Sequence, residues 1–166
     1  KLLFVGLCLI WSAPSAALKE STSSKLIEYL AVEKVNLTVT NSNLRSFSTP
    51  ITKATYTEKK TGIVRQQKLI IAKIETLNAF LSNQEKKHHE LQSRLKQFKQ
   101  SSSTASDALM LQESVNQIQA FIQLNDKAIE LIEANLTLAY QYQKALYQHD
   151  HELILWQAKE VKKQTI

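Results

Sequence analysis

Glycine and proline are scarce in this sequence, with two of each among 166 residues. Tight turns rely on these residue types, so their scarcity disfavours turn-rich β folds and favours a few long elements. Aromatic residues make up only 7% of the chain, so a large globular core is not expected. Glutamine, lysine, leucine and alanine are abundant instead, which is typical of long helices. We therefore predict an all-α fold.

The first residues follow the three-part plan of a secretory signal. Lys1 precedes an apolar run over residues 2–11, and small residues fill positions 12–17. We predict a signal peptide over residues 1–17 that is cleaved after Ala17, with cleavage after Ser15 as an alternative. A membrane anchor is disfavoured, because ten residues cannot span roughly 30 Å of hydrocarbon.

Cys8, the only cysteine, lies within this apolar run and would be removed with it. The mature chain would then contain no disulfide, and an oxidising compartment would be harmless to it. We predict an exported, periplasmic protein. The chain starts with a lysine and carries no terminating signal after Ile166, so we expect it to be a fragment of a longer protein.

A first helix is predicted over residues 18–48. Its apolar residues recur at steps of three and four, with Glu33 and Thr40 filling the gaps. These apolar residues are Leu26, Leu30, Leu37, Leu44 and Phe47. Residues 35–40 also alternate between apolar and polar side chains and are rich in β-branched residues, which leaves a strand as the alternative.

A second helix is predicted over residues 50–99, with Thr49 as its N-cap and Pro50 in its first turn. It carries an apolar seam of heptad spacing, which is typical of a coiled coil. The seam residues are Ile63, Ile70, Ile74, Leu77, Leu81, Leu91, Leu95 and Phe98. Gln67, Gln84 and His88 occupy the polar positions of the same seam.

A third helix is predicted over residues 105–162, after a polar loop over residues 100–106 and a capping box between Thr104 and Asp107. Its seam comprises Leu111, Val115, Ile118, Ile122, Ile129, Ile132 and Leu136, and continues through Ala139, Leu146 and Leu153. Asn125 interrupts this seam. An asparagine in an apolar seam lowers stability but prevents the helices from slipping.

Two seams joined by a short loop predict an antiparallel coiled-coil hairpin over residues 49–166, with the N-terminal helix packed alongside. Residues 45–100 carry 12 basic and 4 acidic side chains, whereas residues 105–166 carry 5 and 8. The opposite net charges, +8 and −3, favour pairing of the two helices.

No pattern of an active site occurs in the sequence. It has no glycine-rich phosphate loop, no cysteine nucleophile after the signal and no paired acids, so we expect no catalysis and no cofactor. The histidine pairs 88/89 and 149/151 have spacings that point their side chains in different directions on a helix, so we expect no metal site. In the predicted hairpin, His88 faces the neighbourhood of Ile118 and His149 faces Thr57.

The chain is basic, with a pI of about 9.4. The basic residues are spread around one helix without aromatic interleaving, so nucleic acid and small-molecule partners are not expected. Contact with anionic lipid headgroups is an alternative use for the positive charge. The expected partners are protein helices, from a second copy of the chain or from the same membrane protein.

Two stretches carry a resemblance to a known family: residues 30–40 (LAVEKVNLTVT) and residues 131–146 (LIEANLTLAYQYQKAL). Together with the signal and the coiled-coil sequence rich in glutamine, lysine and leucine, they resemble the periplasmic N-terminal region of large bacterial mechanosensitive channels of the MscS/MscK type. The resemblance covers most of residues 24–160. It implies a helical segment that precedes transmembrane helices and transmits membrane tension. The alternative is a stand-alone exported binding protein, such as a chaperone, adaptor or secreted effector.

Overall fold

Three long α-helices make up the described part of the chain, which in this computed structural model covers residues 14–44, 50–100 and 105–164. They are α1 (Pro14–Asn43), α2 (Lys53–Gln100) and α3 (Ala105–Gln164). These residues contain no strand, which confirms the all-α prediction. The strand alternative for residues 35–40 is wrong, because they lie inside α1.

Two of the helices start at residues other than the predicted ones. The described part of α1 starts at Pro14, within the predicted signal peptide. α2 begins three residues after Pro50, since Thr52 and Thr55 form a reciprocal cap. The amide of Thr55 donates to Thr52 Oγ1 at 3.3 Å, and the amide of Thr52 donates to Thr55 Oγ1 at 3.0 Å.

Several predictions fall on residues outside the described ranges. They are the signal over residues 1–13, the end of the first helix over residues 45–48 with Phe47, the N-cap Thr49, and the loop residues 101–104 with Thr104 of the proposed capping box. α3 extends to Gln164, two residues beyond the predicted end.

α2 and α3 form the antiparallel helical hairpin that the two seams predict. Lys60 contacts Asp150 and Gln66 contacts Tyr142, so the partner number on α3 falls as the number on α2 rises. These partners sum to 210 and 208, close to the value of 206 expected for a turn centred near residue 103.

The chain divides into two compact units, and each contains part of all three helices. The first unit comprises Lys1–Leu30 and Gln84–Glu130, and the second comprises Ala31–Asn83 and Leu131–Ile166. In the first unit, Lys87 of α2 donates to Ser23 of α1 at 3.0 Å. In the second unit, Asn41 of α1 donates to the carbonyl of Leu138 of α3 at 3.0 Å. α1 is therefore part of the core in both units.

Most fully buried apolar side chains belong to the second unit. They are Leu37, Leu44, Ile63, Ile70, Ile74, Leu77, Ile132, Leu136, Ala139, Tyr142, Leu146 and Leu153. The first unit buries Leu30, Val115 and Ala128. Burial of these side chains at heptad spacing is the main favourable contribution to the packing of the helices.

Candidate functional site

The structure places the nineteen predicted seam residues at two levels of burial. Eleven are buried, namely Ile63, Ile70, Ile74, Leu77, Val115, Asn125, Ile132, Leu136, Ala139, Leu146 and Leu153. Eight are half-buried, namely Leu81, Leu91, Leu95, Phe98, Leu111, Ile118, Ile122 and Ile129. All of the half-buried ones except Leu81 belong to the first unit.

A further heptad series on α3 is buried and was missed by the sequence analysis. It consists of Ala128, Asn135 and Tyr142, which lie seven residues apart and are at most 5% exposed. A two-helix hairpin buries only two positions per heptad, whereas a third helix covers an additional one. In the sequence, this third heptad series was the available sign that a third helix, α1, packs on the hairpin.

Asn125 is the centre of a polar layer in the first unit. Its side chain is 1% exposed, and its Nδ2 donates to the backbone carbonyl of Gln84 at 2.9 Å. Its Oδ1 has no hydrogen-bond partner among the described residues. One buried hydrogen bond therefore fixes the position of α3 along the axis of α2. This is the register role expected for an asparagine in a seam.

His88 lies beside this layer, and its Nδ1 is 2.8 Å from Oδ1 of Asp126. This approach lacks hydrogen-bond geometry, since the buried Nδ1 has no hydrogen-bond partner among the described residues. Its Nε2 lies 2.7 Å from Nε2 of Gln92, one turn along α2. Asp126 lies eight residues after Ile118, the residue in whose neighbourhood His88 was expected to face α3.

His149 pairs with Glu152, three residues along its own helix, at 3.2 Å. Within the described ranges, no group of three or more histidine, cysteine, aspartate or glutamate side chains is placed to hold a metal ion.

Ion pairs join the helices of the second unit. Lys73 of α2 donates to Glu33 of α1, whose side chain is only 9% exposed. Lys60 of α2 pairs with Asp150 of α3 at 2.5 Å. The Lys60–Asp150 pair is one instance of the expected attraction between a basic α2 and an acidic α3, and the α1 carboxylate binds another α2 lysine.

The aromatic residues of α3 separate into inward and outward sets. Trp156 stacks on Tyr56 of α2 with 5.5 Å between ring centroids, and Tyr56 donates its hydroxyl to Gln157 at 2.6 Å. Burial raises the pKa of Tyr142, whose hydroxyl lies 3.4 Å from Gln66 Oε1. Tyr140 and Tyr147 are half exposed instead.

Two open grooves on the surface present ordinary helix side chains. One, of about 770 Å³ in the first unit, is lined by Leu95, Ile122, two lysines and four glutamines. The other runs along α3 beside Tyr140, Lys144 and Tyr147. Neither brings together a nucleophile, a base and an oxyanion donor, which acyl-transfer chemistry needs.

The described residues define a class: three helices built on a long antiparallel hairpin, with the buried polar side chains of Ser23, Glu33 and Asn125 bonded to neighbouring helices. Over the described residues, no helix is both long enough and apolar enough to cross a membrane. No protein-family model, no curated protein and no solved structure matches the chain.

We expect the Asn125→Leu variant to be more stable by about 1–2 kcal/mol, because a buried amide that is only half satisfied is replaced by apolar volume. We also expect additional oligomeric species, since the register contact with Gln84 is lost. Urea denaturation followed by circular dichroism measures the first effect, and sedimentation velocity measures the second. The control is Asn116→Leu, at an exposed position of the same helix. A less stable Asn125→Leu variant would contradict the register role.

Proposed function

We propose that this chain is a non-catalytic, exported helical segment of a membrane protein, the periplasmic N-terminal part of a mechanosensitive channel of the MscS/MscK type. The observation that carries the proposal is the pair of long heptad seams on α2 and α3, each continuous within one helix. Helices of this kind transmit displacement along their axes, because every turn is held by backbone hydrogen bonds.

The chemistry of the interior supports a mechanical role rather than a catalytic one. Polar side chains that could serve a reaction form hydrogen bonds to neighbouring helices instead. They are Asn125, Glu33 and Lys73. The three-part plan of residues 1–17 supports export. The resemblance of residues 30–40 and 131–146 to the channel sequences supports the channel family.

The second candidate is a stand-alone exported helical binding protein. Its support is the set of exposed valines on α1, which are 52–62% accessible and could contact a partner helix. The two candidates make different demands on the full-length protein. A channel requires transmembrane helices C-terminal to Ile166, whereas a binding protein does not.

Fractionation of the native protein from its host, with an antibody against residues 105–166, distinguishes the two. The channel proposal expects a band far above 18.9 kDa that only detergent extracts. A band slightly below 18.9 kDa in the periplasmic or secreted fraction refutes the channel and supports the binding protein.

A further inference from the structure

Two apolar faces of the second unit are left exposed by the described residues of the chain. The outer α1 face consists of Val32, Val35 and Val39, which are 61%, 62% and 52% exposed. Residues 35–43 contain no charged side chain, so this face could enter an apolar environment without burying a charge.

The second face is a groove along the hairpin, which we call the hairpin groove. It consists of Val64 and Ile71 of α2, both 38% exposed, and of Tyr140 and Tyr147 of α3, which are 49% and 51% exposed. On the α3 side, the surface beside Tyr140 and Tyr147 is concave, and it is lined by α3 residues alone.

The ion pair between Lys60 and Asp150 shows that the α2 side and the α3 side of this groove lie next to each other. Val64 follows Lys60 by one turn, and Tyr147 precedes Asp150 by one turn, so each lies beside the α2–α3 contact. The side of the hairpin that carries α1 is covered. Exposed residues beside the contact therefore belong to the side away from α1.

The spacing of the two faces matches. Val32 and Val39, Val64 and Ile71, and Tyr140 and Tyr147 are each seven residues apart. Equal heptad spacing on three helices lets side chains of one helix fill the holes between those of the other two at a small crossing angle.

We infer that the outer α1 face of one copy of this chain docks into the hairpin groove of a second copy. One contact then covers both faces, and the docked α1 becomes the fourth helix of a bundle with α2 and α3 of its neighbour. The contact is head-to-tail: each copy offers one face and accepts the other, so association continues beyond a dimer until a ring closes.

The available area predicts reversible association. The seven side chains expose on the order of 450 Å² of apolar surface, at roughly 200 Å² for a whole tyrosine and roughly 100 Å² for a valine or isoleucine. Non-polar atoms form a little over half of a typical interface, so the contact buries about 800 Å². Interfaces below about 1,200 Å² belong to weak, transient complexes.

The test is sedimentation velocity of the full chain between about 1 and 100 µM, the range of weak complexes. The face variant is Val35→Glu with Val39→Glu, and the groove variant is Tyr140→Glu with Tyr147→Glu. Leu155→Glu is the matched control, because Leu155 is a 49% exposed apolar residue of α3 outside the groove. Circular dichroism establishes that each variant keeps its helix content.

We expect the unmodified chain and the control to form species larger than a dimer, and each double variant alone to be monomeric. Mixing the two variants should restore a 1:1 dimer that grows no further, since one intact face meets one intact groove. Association of the face variant alone, or a mixture that stays monomeric, overturns the inference. An unmodified chain that is monomeric near 100 µM also overturns it and leaves both faces to a helix of another protein. The contact does not require a channel, so this test and the fractionation test fail independently.

Discussion

Replacing Ile74 and Leu77 of α2 by aspartate should unfold the second unit. Their side chains are 7% and 2% exposed, so both carboxylates would be placed among apolar side chains without a cationic partner. Each substitution removes buried apolar area and adds the cost of desolvating a charge, together on the order of 5 kcal/mol or more. The free energy of unfolding of a natural protein is about 5–15 kcal/mol, so the two substitutions together remove most of it.

Circular dichroism and thermal melting measure this effect. The control is Ala72→Asp with Ala79→Asp, two exposed positions of the same helix that are seven residues apart. The control adds the same charge and lowers helix propensity by a similar kind of change, at about 0.7 kcal/mol per residue or less. Equal melting of the two double variants would show that the described seam is not the core.

Lys73→Met is expected to destabilise the protein because it leaves the Glu33 carboxylate nearly buried without its cation. Removing one partner of a fully buried pair costs about 3–5 kcal/mol. The Lys73 side chain is 37% exposed, so solvent screens the pair and we expect about 1–3 kcal/mol instead.

Urea denaturation of a double-mutant cycle isolates this interaction. Glu33→Leu combined with Lys73→Met should recover most of the loss, because both charges are absent and their volume is apolar. Lys68→Met, at an exposed position of the same helix, should change the stability little. If Lys73→Met and Lys68→Met have the same urea midpoint, the Glu33–Lys73 pair contributes nothing.

The sequence predicts the helices well because their signal is local and repeated. Heptad spacing on α2 and α3, with a polar stretch between them, is enough to predict a hairpin. The start of α2 was less predictable, since Thr49–Pro50 and Thr52 both carry N-terminal signals. The reciprocal hydrogen bonds of Thr52 and Thr55 decide between them.

The burial of Asn135 and Tyr142 was not predictable from a hairpin alone. It depends on how far α1 covers α3, and the contact of Asn41 with the Leu138 carbonyl joins residues 97 positions apart. The partner of His88 was missed for a related reason. A turn centre that is estimated from loop residues predicts the facing residue on the other helix only to within one or two helical turns. Within that range, the side chain of His88 lies close to the Asp126 carboxylate.

The hydrogen bond from Asn125 to Gln84 closes a much shorter stretch of chain than the contacts at the open end of the hairpin. Its partners are 41 residues apart, whereas Tyr56 and Gln157 are separated by 101. Loop-closure entropy makes the longer closure less favourable by about 0.8 kcal/mol if it forms first. Folding is therefore expected to begin near the turn, so the asparagine selects the alignment before the distant aromatic pair meets. A substitution at Asn125 then acts mainly on the folding rate, and one at Tyr56 mainly on the unfolding rate.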